Sequence, residues 1–137
     1  MGVLIDASIL IEYERGRLDL APRIRGREDE AFFLSVITVS ELLHGVHRAP
    51  GPSARARRSV FVEGVLETFP VLPIDLPTAR IHAEAWSTLA ADGSMIGAHD
   101  LWLAAAALAH GLSMATANVR EFERVPGLMV EDWTRRT

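Results

Sequence analysis

The chain contains no cysteine, which excludes a disulfide framework, a thiolate nucleophile and any cysteine-based metal site. It contains no lysine either, since all fourteen cationic side chains are arginine. Schiff-base chemistry, a Walker-type phosphate lysine and the lysine of receiver-type phosphoacceptor domains are thereby excluded. Long apolar runs are also missing: the longest, Leu101 to Ala109, falls well short of the roughly 20 residues of a membrane-spanning helix. Asp6 falls where a signal peptide would carry its apolar stretch and where a myristoylation pattern needs Ser or Thr. The mature chain is therefore expected to begin at residue 1 and to act in a reducing cytoplasm. A length of 137 residues predicts one domain, 1–137. Such a chain buries about two-thirds of its unfolded surface and needs no disulfide or structural zinc to hold a core.

Fourteen cations against eighteen anions leave a net charge of −4, which by itself does not advertise a nucleic-acid binder. The arginines are clustered, however, with five between Arg15 and Arg27 and three at Arg55, Arg57 and Arg58. Local basic surfaces can coexist with an acidic total, and Arg forks onto phosphates better than Lys. For any single arginine, a general preference for Arg and Ala throughout the chain is an equal alternative.

Val3-Leu4-Ile5 is a short apolar run ending in Asp6 and predicts a buried strand, followed by a helix from Ala7 to about Arg15. Ala31 to Val36 repeats the arrangement, with Thr38 starting a helix to about Arg48 and Ala49-Pro50-Gly51-Pro52 ending it. A helix over Ser53–Thr68, a strand over Val71–Ile74 and a helix from Asp75 or Thr78 to about Ala91 follow. Asp100 to His110 reads as a helix stopped by Gly111, Leu112 to Thr116 as a strand, and Leu128-Met129-Val130 as a last one. Strands alternating with helices of ten or more residues argue for a parallel sheet covered on both faces, an α/β fold. Such sheets place ligands beyond the carboxyl ends of their strands.

That rule nominates Asp6, Glu41 in the turn after the second strand, and Glu121 beyond Thr116; Asp100 joins them if its helix begins at the same sheet edge. Oxygen-only ligands of this kind suit Mg²⁺ or Mn²⁺. The five histidines, His44, His47, His82, His99 and His110, form no recognised zinc pattern. Each acid also has a structural reading: Asp6 as an N-cap, Thr38 to Glu41 as a capping box, Asn118 to Glu121 as an analogous start, and Asp100 as a first-turn charge favoured by the helix dipole. Two patterns weigh on the other side. Val39, Leu42, Leu43 and Val46 form an apolar stripe that leaves Glu41 on a different face with His44, Gly45 and Arg48. Ala104, Ala107 and Gly111 continue the stripe of Asp100 with small residues, which permits close packing. Trp86, Trp102 and Trp133 read as packing residues rather than base-stacking platforms.

Asp6, Thr38-Val39-Ser40-Glu41-Leu42 with Gly45, Gly97-Ala98-His99-Asp100-Leu101 with Leu103-Ala104-Ala105, and Thr116-Ala117-Asn118 with Glu121-Phe122 together resemble the PIN-domain ribonucleases, specifically the VapC toxins of bacterial toxin–antitoxin pairs. The resemblance spans essentially the whole chain. It implies a three-layer α/β/α fold with a short central parallel sheet and a divalent-metal-dependent endoribonuclease using Mg²⁺, with Mn²⁺ as a substitute. It assigns Asp6, Glu41, Asp100 and Glu121 as catalytic, Asp6 and Asp100 as principal metal ligands, and Thr116 and Asn118 as supporting groups. At the fourth acid the chain departs from the family, which often has aspartate where Glu121 stands and in some members has aspartate where Asn118 stands. Arg15, Arg17, Arg48, Arg55, Arg57 and Arg120 are candidates for holding the RNA backbone. The resemblance further implies a VapB-type antitoxin partner, a tRNA or ribosomal RNA substrate and a homodimer. Two alternatives are a PIN-like module that binds RNA or protein without cutting, and an aspartyl phosphatase. The latter wants a second aspartate where Ser8 stands.

Overall fold

The computed structural model describes residues 2–135. Its strands β1 (Gly2–Ile5), β2 (Ala31–Ser35), β3 (Val71–Leu72), β4 (Leu112–Thr116) and β5 (Val130–Asp132) form one sheet in the order β3-β2-β1-β4-β5. Every pairing is parallel. The helices are α1 (Ala7–Glu14), α2 (Ala21–Ile24), α3 (Val36–His47), α4 (Gly51–Thr68), α5 (Leu76–Asp92), α6 (Ala98–His110) and α7 (Val119–Phe122).

All four residues of β1 are buried, because alternate side chains enter cores on opposite faces of the sheet. Val3 and Ile5 pack with Ile9, Leu10, Leu42, Val62 and Val65 from α1, α3 and α4. Leu4 packs on the other face with Met114, Leu89 of α5 and Leu101, Leu103 and Ala104 of α6. The result is the expected three-layer α/β/α arrangement. Small residues do let α6 lie close, as Ala104, Ala105 and Ala107 are wholly buried. α5 is joined to α6 by the His82 ring stacked on Trp102, with centroids 3.6 Å apart and planes 13° apart.

Several boundaries depart from the sequence expectation. α3 begins at Val36, directly off the strand, because the Ser35 hydroxyl accepts from the Ile37 N–H and caps it. Thr38 therefore lies inside the helix, fully buried, and the Thr38–Glu41 capping box does not form. α4 starts at Gly51 rather than Ser53, with Pro52 in its first turn, where the missing N–H costs nothing. α6 starts at Ala98 with Gly97 as N-cap, ahead of Asp100. β3 is confined to Val71–Leu72, and β5 pairs through Val130–Asp132 rather than Leu128–Val130. Leu43 is 37% exposed and Trp86 56% exposed, so neither packs in the core of this chain. Asp75 caps α5 through the Thr78 N–H, and Gly111 ends α6 in the left-handed conformation, both as the residue types predict.

The C-terminal strand is held by Arg27. Its guanidinium donates to Glu131 at 2.7 and 3.0 Å and to Glu30 at 2.9 Å, and lies 5.6 Å from the centroid of the Phe32 ring. The Trp133 indole donates to the same Glu131 at 3.0 Å. The Glu131 carboxyl is held below the usual range, mainly by the Arg27 hydrogen bonds. The network is about a quarter exposed, so solvent screens part of it. Arg27→Ala is expected to destabilise the fold by about 2 kcal/mol, read as a lower urea midpoint. An unchanged midpoint would show that the clamp carries no stability.

Candidate active site

The parallel sheet gathers the ends of β1, β2 and β4 at one edge, and each strand there hands over to functional side chains. Asp6 follows β1 directly, and its N–H donates to the Ala115 carbonyl of β4 at 2.9 Å. α6 turns at Gly111 straight into β4, so helix and strand run in opposite senses and the first turn of α6 lies at the same edge. Asp100 thereby meets the condition for joining the other acids. Glu41 arrives on the second turn of α3, freed from capping because Ser35 performs that task.

Asp6 is 3% exposed and makes no cap to its own helix. Its Oδ2 instead accepts from the Ser8 hydroxyl at 2.7 Å and the Thr116 hydroxyl at 2.8 Å. Each hydroxyl in turn accepts from the backbone: Ser8 from the Ala117 N–H at 3.1 Å, Thr116 from the Asn118 N–H at 2.9 Å. Two relays therefore run from the β4–α7 turn to one carboxylate oxygen, each hydrogen bond polarising the next. Asn118 contributes through its backbone; its side chain makes no cap to α7. Burial raises the Asp6 pKa, and the hydrogen bonds from Ser8 and Thr116 oppose that rise.

Glu121 does not serve as a capping-box acid. Its Oε1 accepts the N–H of Gly97 at 2.7 Å and so ties α7 to the start of α6. A Cβ placed on Gly97 would lie 3.4 Å from that oxygen and 3.7 Å from Asp100 Oδ2, which locates both carboxyls beside the same backbone atom. The Asp100 pKa is raised to about 8, first by burial, then by hydrogen bonding with Glu121 and by the charges of Asp6, Glu121 and Glu41. The Glu41 carboxyl is raised by burial and by Asp6, with His99 opposing. Glu41 Oε1 is buried with no hydrogen-bond partner, and the His99 Nδ1, at 3.7 Å, is beyond hydrogen-bond reach. Asp100 thus senses Asp6, Glu41 and Glu121, and Glu41 senses Asp6, so the end of β1 and the helices α3, α6 and α7 bring these carboxyls into one neighbourhood.

An unpartnered buried carboxylate oxygen beside two further raised acids is costly in isolation, and a divalent cation is the group whose charge would remove that cost. The donor set is oxygen only and suits a hard cation. Among the described residues no three His, Asp or Glu side chains already surround one point, and Asp6 has one oxygen committed to hydroxyls. An ion that takes one or two carboxylates and keeps its waters fits this arrangement better than one needing a closed cage.

Two grooves flank the acids. One, of about 700 Å³, is lined by Glu41, His99, Arg15, Arg48 and Arg58 among others. The other, of about 670 Å³, is lined by Asn118, Glu121, Arg120 and Arg124 together with Asp132. Arg15, Arg48 and Arg120 are therefore beside the acids. Arg17 is paired with Glu12 at 3.5 Å, and Arg55 and Arg57 are exposed on α4; these three line neither groove. Sequence reasoning missed Ser8, His99, Arg58 and Arg124. The only signal for Ser8 was its place two residues after Asp6, and for His99 its adjacency to Asp100.

Residues 3–128 match the family model of the PIN domain. The chain is 35% identical over 130 residues, 95% of each protein, to ribonuclease VapC1 of Rickettsia felis. It is 36% identical to the tRNA(fMet)-specific endonuclease VapC of Salmonella typhimurium, over 73% of this chain and 74% of that one. Among solved structures, DNA-bound VapBC from Salmonella typhimurium superposes with a TM-score of 0.88 at 29% identity, covering 97% of this chain and 98% of the other.

Proposed function

The chain belongs to the PIN-domain family, and from that premise we propose that it is a toxin of the VapC type that hydrolyses RNA phosphodiester bonds with Mg²⁺ or Mn²⁺ at Asp6, Glu41, Asp100 and Glu121. The observation that carries the reading is the burial and crowding of the acids: burial first, then hydrogen bonding with Glu121 and the charges of Asp6, Glu121 and Glu41, raise Asp100 to about 8. A module that only binds RNA gains nothing from burying like charges together, whereas a metal-dependent hydrolase requires it.

Asp6 and Asp100 are the principal ligands in this reading. Asp6 is presented rigidly, because Ser8 and Thr116 occupy Oδ2 and leave Oδ1 for the ion. Glu41 offers its unpartnered Oε1 as ligand or as the group that orients and deprotonates the attacking water. Glu121 sets the position of Asp100 and the start of α6 through Gly97. A divalent cation supplies, when bound, an acidified water and positive charge opposite the phosphate. Arg15, Arg48 and Arg120 hold the RNA backbone outside the acidic centre, which reconciles RNA binding with a net charge of −4.

As a VapC-type toxin the chain pairs with a VapB-type antitoxin and forms a homodimer. Its substrate is a structured RNA, with tRNA first, since a relative with 36% identity carries that specificity in its name. Among the described residues no helix is long and apolar enough to cross a membrane.

Purified protein incubated with total tRNA is expected to cut only when Mg²⁺ or Mn²⁺ is present, leaving 5′-phosphate and 3′-hydroxyl ends. Mapping of the ends by ligation, with and without excess chelator, checks both points. Cutting that persists in chelator would overturn the metal assignment.

A further inference from the structure

Each of the two grooves is lined by one of the four acids, Glu41 in one and Glu121 in the other. His99 stands beside Glu41 in the first, and Asn118 beside Glu121 in the second. Each holds an arginine that is anchored by a backbone carbonyl and not by an acid. Arg58 Nη1 donates to the Gly45 carbonyl at 2.9 Å, and Arg124 Nη1 donates to the Met95 carbonyl at 3.1 Å. Among the described residues neither is in an ion pair. Arg17 and Arg27 differ in this respect, since their guanidiniums are engaged by Glu12 and by Glu30 with Glu131.

A guanidinium has five N–H donors in a fixed fork. One bond to a carbonyl fixes the head without spending its charge, and leaves the remaining donors for a phosphate. Gly45 belongs to α3, the helix that carries Glu41, and Met95 lies in the segment just before Gly97. Each arginine is thus registered to an element that positions one of the acids. The carboxylates themselves repel a polyanion, so beyond the phosphate at the metal the strand has to be gripped on either side of the bond to be cut.

We propose that RNA crosses the acids from one groove to the other, with Arg58 holding a phosphate on one flank of the scissile bond and Arg124 a phosphate on the other. This rests on the ribonuclease reading and adds to it a direction of passage and two residues. Arg15 and Arg48 extend the first flank, and Arg120 the second.

The test uses a 30-nucleotide single-stranded RNA of mixed sequence, bound by protein carrying Asp100→Asn so that it is not cut, with KCl varied. Arg58→Gln and Arg124→Gln retain a donor for the carbonyl but lose the charge. Each is expected to lower the magnitude of the log–log salt slope by about 0.7, and the pair by about 1.4. Arg55→Gln and Arg57→Gln, outside both grooves, are expected to leave it unchanged. Arg58→Lys restores the charge and is expected to recover the slope, which a folding defect would not allow. Once the wild-type cut in an RNA has been mapped, half-length oligomers ending at that bond separate the flanks. Arg58→Gln should weaken one half and Arg124→Gln the other. Unchanged slopes, or both variants weakening the same half, overturn the track. Wild-type cleavage measured in parallel keeps the two ideas apart: cutting with unchanged slopes defeats the track alone, and lowered slopes without metal-dependent cutting defeat the ribonuclease reading alone.

Discussion

Asp100→Asn is expected to lower RNA cleavage by on the order of 10³-fold or more while making the metal-free protein more stable. The two effects have one cause. Burial and the neighbouring Glu121, Asp6 and Glu41 hold the Asp100 pKa at about 8, far above its ordinary value of 3.8, so ionising it in the folded protein is costly. Between pH 3.8 and about 8 the unfolded chain carries this group ionised and the folded chain carries it protonated. The folded state then binds the extra proton, and its stability falls as pH rises through that window, levelling above about 8. Asparagine mimics the protonated acid, keeps a donor for Glu121 and does not titrate. After discounting for solvent screening, the gain near pH 7 is about 1–2 kcal/mol, or roughly 3 to 8 °C in melting temperature. The difference in stability between wild type and variant, followed from pH 4 to pH 9 by urea denaturation, isolates this group from all others. A variant that is both inactive and less stable throughout would show that Asp100 is a structural residue.

Divalent cation is expected to bind with an affinity that rises about tenfold per pH unit up to about pH 8 and then levels, because the proton on Asp100 must leave first. Glu41 and Asp6, also raised by burial, steepen the lower part of the curve. Calorimetric titration of Mn²⁺ in two buffers of different ionisation enthalpy reads the proton release directly. At a concentration of 100 times Kd, bound ion is expected to add about 2.7 kcal/mol of stability, and chelation to remove it. Mn²⁺ binds tighter than Mg²⁺ at such oxygen sites. Glu41→Gln is expected to weaken the ion while retaining most of the pH dependence, and Asp100→Asn to flatten it. Binding that is independent of pH in the wild type would contradict the shared proton.

The layers of the fold were legible because they follow from local chemistry. Val3-Leu4-Ile5 is apolar throughout since both faces of its strand are covered, and Asp75 and Gly111 mark helix ends by capping and by left-handed backbone. Asp6, Glu41, Asp100 and Glu121 were legible as strand-end or helix-start acids, but so were rival helix-end roles: Asp100 does stand in the first turn of α6, whereas the capping bonds read for Asp6, Glu41 and Glu121 do not form. Capping rivals were decided elsewhere in the chain: Ser35 begins α3 three residues before Thr38 and so releases Glu41, and Gly97 begins α6 with its N–H given to Glu121. No local pattern contains that information, because the partners of Ser8 and Glu121 lie 109 and 24 residues away.

Residue types and spacing alone determined the absence of thiol and lysine chemistry, the alternating α/β order, and an oxygen-only set of acids, for these are properties of composition and period. Tertiary structure alone decided that burial and neighbouring acids raise Asp100 and Glu41, that one Glu41 oxygen is left without a partner, and that two arginines are seated on carbonyls beside them. The reason is that repulsion, burial and preorganisation depend on distance through space, and a parallel sheet makes neighbours of strand ends that the chain separates by a hundred residues and more.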